Sequence, residues 1–251
     1  MNKTLVTVVL PCLLFIAAWS ANAAPLVLVT TEYPPFSYVE DGQQKGIAVD
    51  LVKEASTRLH EEINIVFLPF ARAVNMIEAG EADAIFPFSS NDKRSAFTLY
   101  PDASLVEQEA TLFVRADSAI TFDGNLSKLS QYSFGIERGA NYGPVFSDAV
   151  RDHVVIHVDE TVDQLHNVRK LVAGRFEIAV GPRLVVLFYA KQAGQLDHIK
   201  ELQPGIGKPV IAYLGFSKKK NPGVLVKHYD QIFKKMRQDG TYDKIVRSYS
   251  Q

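Results

Sequence analysis

The chain has 251 residues, of which 47% are hydrophobic and 22% charged, with 27 Lys and Arg against 28 Asp and Glu for a formal net charge of -1 at pH 7. That length suits two lobes or one large α/β domain, and the composition is that of an ordinary folded soluble protein. Balanced charge without a Lys/Arg-rich run excludes the electrostatic footprint of a nucleic-acid binder.

Lys3 provides a positive start, residues 5–18 are almost wholly apolar, and Ala21-Asn22-Ala23 is a small-residue cleavage pattern. Together they read as a secretory signal peptide over 1–23, with a mature, exported chain beginning near Ala24. The apolar core falls short of the ~20 residues a membrane span needs. An uncleaved anchor is the other reading. Cys12 is the only cysteine, so cleavage leaves no thiol and excludes disulfides, thiolate metal sites and cysteine nucleophiles.

Residues 26–30 are rich in β-branched side chains and predict a buried strand that stops at Glu32-Tyr33-Pro34-Pro35. Two prolines hold that loop extended, so Tyr33 and Phe36 either wall a cleft at the strand's carboxyl end or cover the core edge. After an Asp41-Gly42 turn, the spacing predicts a helix over 52–59, a strand over 63–68, a helix over 70–79 opened by Pro69 and closed by Gly80, and a strand over 82–86. This alternation calls for a parallel sheet.

The next stretch, Phe86-Pro87-Phe88-Ser89-Ser90-Asn91-Asp92-Lys93-Arg94, brings small polar groups up to one arginine. It is either a solvated helix start or an anion cradle in which the guanidinium offers two parallel donors to a carboxylate. Further on, strands are expected over 112–114, 133–137, 154–158, 176–181 and 210–216, and helices over 126–130, 162–173, 184–193 and 224–238. The glycine turn after Ile136-Glu137-Arg138 is expected to open a helix whose N–H groups face a ligand or nothing at all. Residues 77–85 and 171–179 share a helix, glycine, acidic-apolar strand pattern, and two similar lobes are the simplest account.

Thr31-Glu32-Tyr33-Pro34-Pro35-Phe36, then 46–51, 70–85, Ser89 to Arg94, and 236–244 near the far end resemble, in that order, the bacterial extracellular solute-binding proteins of family 3. The resemblance implies a type II periplasmic binding protein: two Rossmann-like α/β lobes, a two-strand hinge and a ligand cleft between them. Lobe 1 would be discontinuous, residues 24–107 and 211–251, and lobe 2 would span 108–210. It implies a monomeric periplasmic receptor without cofactor or metal, delivering a small carboxylate-bearing ligand to an ABC permease.

Site residues follow from the same resemblance. Arg94 would clamp the ligand carboxylate with Ser89 assisting, Tyr33 and Phe70 would pack its side chain, and Phe36 and Asn91 would lie beside them. From lobe 2, Asn141 would sit at a helix start, flanked by Glu137, Arg138 and Tyr142. Pro182 stands where the family's amino-acid binders carry an aspartate for the α-ammonium. Either Glu32 or Glu137 replaces it, or the ligand has no ammonium, and Arg94, Arg138 and Arg183 together would suit a dicarboxylate. Two alternatives accompany the receptor: a periplasmic cyclohexadienyl-dehydratase-like enzyme with Glu137 or Glu177 as acid, and a module serving a membrane sensor. The histidines at 60, 153, 157, 166, 198 and 228 show no metal spacing.

Overall fold

The computed structural model describes residues 24–140 and 142–249, so the expected signal peptide and Asn141 lie outside the described residues. From the start, β1 (Leu26–Thr30) is followed by the hairpin β2 (Tyr38–Glu40) and β3 (Gln43–Lys45), then α1 (Ile47–Leu59), β4 (Ile63–Phe67) and α2 (Phe70–Ala79). Next come β5 (Ala84–Ser89), the one-turn α3 (Asp92–Ser95), β6 (Thr98–Leu99) and β7 (Val106–Gln108). A second series contains β8 (Ala110–Arg115), a 3-10 turn (Leu126–Leu129), β9 (Ser133–Glu137), α4 (Pro144–Arg151), β10 (His157–Thr161) and α5 (Gln164–Val172). It continues with β11 (Ile178–Pro182), α6 (Arg183–Gln192) and β12 (Ile199–Leu202), after which β13 (Val210–Ser217), α7 (Gly223–Gln238) and α8 (Thr241–Ser248) close the chain.

Two sheets organise these elements. The first has the order β4-β1-β5-β13-β6, with β7 also pairing β13; the second has the order β10-β9-β11-β8-β12. In each, a parallel core (β4, β1 and β5; β10, β9 and β11) is extended by antiparallel strands, β13 in the first and β8 in the second. The chain passes between the sheets twice, through Glu109 and through residues 203–209. The fold is therefore α/β with two lobes.

Local chemistry explains most of the boundaries. Gly80 ends α2 at φ 78, with its N–H on Ile77 O, a conformation that costs glycine little. The helix expected over 52–59 begins five residues earlier, at Ile47. Gly46, at φ 127, lies so close to Phe36 O that a Cβ would collide with it, and Ile47, Ala48 and Val49 bury completely or nearly so in the first turn. The strand expected to stop at Phe86 runs on to Ser89. A proline is foreign to a central strand, but β13 shifts register between Tyr213 and Gly215, opposite Phe86 and Pro87, and this irregularity accommodates the missing donor.

Other boundaries differ from the sequence expectation. The strand expected over 154–158 is β10, three residues later, because 152–156 form the turn that ends α4. The segment 236–244 is not one helix: Gly240, at φ 78, separates α7 from α8. Lobe 1 is cemented by α1 on α7, where buried Tyr229 shares a 2.7 Å hydrogen bond with buried Ser56. Helix α6 is seated in both lobes. Val185 packs in the core of the first sheet, whereas Val186 and Ala190 pack against Phe113 and Val168 of the second.

Candidate ligand-binding cleft

A cavity of about 380 Å³ lies between the two lobes. Its first wall is the end of β5 and the loop after β1. Arg94, carried by α3, turns back so that Nη1 donates to Ser89 O at 2.9 Å and Ser89 Oγ at 2.6 Å. The guanidinium carbon stands 4.4 Å from the Phe88 ring centroid and 5.3 Å from that of Phe70. Aromatic faces attract such a cation and keep it planar against the wall. Burial lowers the Arg94 pKa, and the nearby Tyr100 partly restores it; the side chain stays charged in ordinary buffers.

Asn91 serves this geometry indirectly. Its Oδ1 accepts the Arg94 backbone N–H at 2.9 Å and caps α3, so its side chain is engaged at the exposed turn and does not line the cavity. Tyr33 does line it, with Oη donating to Gln108 Oε1 at 2.9 Å. Phe36 does not: it is 1% exposed and stacks beneath Tyr33 with centroids 5.4 Å apart. Pro34-Pro35 thus places one aromatic in the cleft and one in the core.

Lobe 2 supplies Glu137 at the end of β9, with Tyr142 and Gln164 beside it. The Glu137 N–H and Gln164 Nε2 both donate to Tyr142 Oη, at 2.8 and 3.2 Å. Gln164 is buried and is held in turn by Asn167, whose Nδ2 donates to Gln164 Oε1 at 3.2 Å. Gly181 makes room for it, since a Cβ there would stand 2.9 Å from Gln164 Oε1. Burial raises the Glu137 pKa; a hydrogen bond from Gln164 opposes that rise and Asp163 adds to it. The turn after β9 does not lead straight into a helix. Six residues intervene, and α4 starts with Pro144, which has no N–H to offer.

The other arginines point elsewhere. Arg138 pairs with Glu160 at 2.9 Å in solvent, and Arg183 pairs with Glu201 at 2.8 Å. Arg94 is the one basic side chain among the described residues lining the cavity, which also holds Glu32, Glu137 and Pro182. Glu177 is likewise away from it, accepting the Ser133 N–H at 2.8 Å. Of the sequence-derived set, Arg94, Ser89, Tyr33, Phe70, Tyr142 and Glu137 meet in the cleft. Gln108, Gln164 and Phe88 join them without having been singled out; Gln164 sits in the first turn of an amphipathic helix, where a polar residue reads as solvated. Among the described residues no group of three or more His, Cys, Asp or Glu could hold a metal ion.

The fold is shared with solved structures. An ancestral cationic amino acid solute-binding protein superposes with a TM-score of 0.74 at 19% identity, over 90% of this chain and 95% of that one. Substrate-binding domain 2 of GlnP from Lactococcus lactis, in an open conformation, gives 0.72 at 20% identity over 89% and 94%. A histidine kinase sensor domain with similarity to periplasmic binding proteins gives 0.68 at 15% identity over 90% and 95%. No curated protein sequence matches this one. The sequence profile of the bacterial extracellular solute-binding proteins, family 3, matches residues 26–251, the whole of the two-lobed fold with its cleft, and the chain belongs to that family.

Proposed function

We propose that this protein is a periplasmic receptor that captures a small carboxylate-bearing solute, an amino acid or related organic acid, between its lobes and delivers it to an ABC importer. The observation that carries this reading is Arg94, held by Ser89 and two aromatic rings with its fork at an inter-lobe cavity. A carboxylate matches that fork with two parallel charge-assisted hydrogen bonds. Residues from both lobes line the cavity, so a solute there favours the closed arrangement by touching both at once. The lobes are taken to divide at 24–107 with 211–251 against 108–210, the crossings acting as a hinge. No catalytic step is assigned to the cleft.

A thermal-shift screen of amino acids and small organic acids tests this. The expected result is stabilisation by one chemical class, lost in Arg94→Ala and weakened in Arg94→Lys, which keeps the charge but not the fork. Wild type indifferent to every carboxylate would defeat the proposal. Likeness to a histidine kinase sensor domain supports a second reading, in which the same closure reports to a membrane sensor. Pull-down of a permease or of a kinase by ligand-saturated protein separates the two.

A further inference from the structure

We propose that the protein carries a second binding site, separate from the cleft, which takes a flat, uncharged aromatic molecule between α6 and the β2-β3 hairpin. Residues 184–190 of α6 are apolar without a break, and a helix that is apolar all round needs cover on every face. Val186 and Ala190 bury in lobe 2 beside Phe113 and Val168, and Val185 buries in the core of lobe 1. Leu184, Leu187 and Phe188, at i, i+3 and i+4, share a further face and stay part-exposed. That face lines a cavity of about 660 Å³, against about 380 Å³ for the cleft, and the two cavities share no lining residue.

The opposite wall comes from lobe 1: Tyr38, Glu40 and Lys45 of the hairpin, and Tyr249 at the end of α8. Tyr38 meets Phe188 edge-on, with centroids 5.3 Å apart and planes at 60°. Tyr249 is fixed by its hydroxyl, which donates to Asp50 Oδ2 at 2.6 Å and accepts the Gly46 N–H at 3.0 Å. Rings from both lobes thus surround a space that is already formed, and such rings favour the edge or offset face of another ring. Size and charge decide the occupant. The volume lies within the range of roughly 300–1,000 Å³ usual for small-molecule sites. Concave walls on three elements suit a small molecule, whereas a stable protein partner needs a broad patch of about 800 Å². Lys45 is neutralised by Glu40 at 2.8 Å, and Lys191 is engaged as well, so the lining calls for no charged group and the apolar surface sets the preference.

The test is a fluorescence titration of the whole mature protein with N-phenyl-1-naphthylamine, an uncharged probe with a phenyl and a naphthyl ring. Wild type is expected to bind one probe saturably, with a rise and blue shift in emission. Leu187→Asp, which puts a charge in the apolar wall, is expected to weaken binding by about tenfold or more. Leu196→Asp, at a cavity position that is 43% exposed, is expected to weaken it in the same direction and keeps the test decisive if Leu187→Asp fails to fold. No saturable binding by wild type, or undiminished binding in folded Leu196→Asp and Leu187→Asp, overturns the inference. Loss of binding in Phe70→Ser with both aspartate variants unaffected places the probe in the cleft and also overturns it. Wild type that ignores the probe but dimerises, with Leu196→Asp restoring the monomer, overturns it in favour of a second copy of the chain. None of these outcomes bears on the carboxylate reading of the cleft, which Arg94→Ala tests separately.

Discussion

The hydroxyl of Tyr33 donates to Gln108 Oε1 at 2.9 Å, joining the loop after β1 to the strand through which the chain leaves lobe 1. Burial, and then the negative charge of Glu137, raise the phenol pKa above its ordinary value, so the group remains a donor. Gln108→Leu keeps the bulk and removes the acceptor. The part-buried hydroxyl then lacks a partner, at a cost of about 1–3 kcal/mol, and a loss of about 1 kcal/mol lowers the Tm of a domain this size by roughly 2–4 °C. An unchanged melting curve would show that water replaces Gln108 freely.

Gly181→Ala addresses the other wall. The new methyl group meets Val186 and Gln164 Oε1, and relieving that overlap displaces the side chain that fixes both Tyr142 and Glu137. Overpacking of this kind costs about 1–3 kcal/mol. Urea unfolding should show a lower midpoint with the same slope. An unaltered midpoint would mean that Gln164 and Asn167, which both donate to the Val180 carbonyl, shift without penalty.

The acid limb of stability has a local source in lobe 1. Asp239 is held down to about 2, against an ordinary 3.8, by hydrogen bonds from Thr241 and Arg58. A carboxylate with a lowered folded-state pKa stabilises the protein above its unfolded value, and that contribution disappears as pH falls from 3.8 to about 2. Asp239→Asn should therefore melt lower than wild type at neutral pH, with the gap closing through that window. A gap that persists at pH 2 would place the effect in packing instead of protonation.

The strongly patterned elements were legible in the sequence. Leu26–Thr30, Phe70–Ala79 with Gly80 behind it, and Gly223–Gln238 follow from β-branched content, capping and period, and the structure places them within a residue of expectation. The boundary of β5 was not legible, because Pro87 argues against a central strand and only the register shift in β13 reconciles the two. The start of α1 depended on a contact between Gly46 and Phe36 that no local pattern announces. In the cleft, residue type pointed to Arg94 and Tyr33, but the fate of Arg138 and Arg183 was decided by Glu160 and Glu201, one on a neighbouring strand and one across a helix. Partners of that kind are fixed by tertiary structure.

Phe70 opens α2 and leaves 43% of its surface in water at the edge of the cavity. A solute that covers this ring, and a second lobe that closes over it, withdraw aromatic surface from solvent. Such burial carries a negative heat-capacity change. Capture should accordingly grow more exothermic on warming, and the steepness of that trend measures how fully the ring is enclosed.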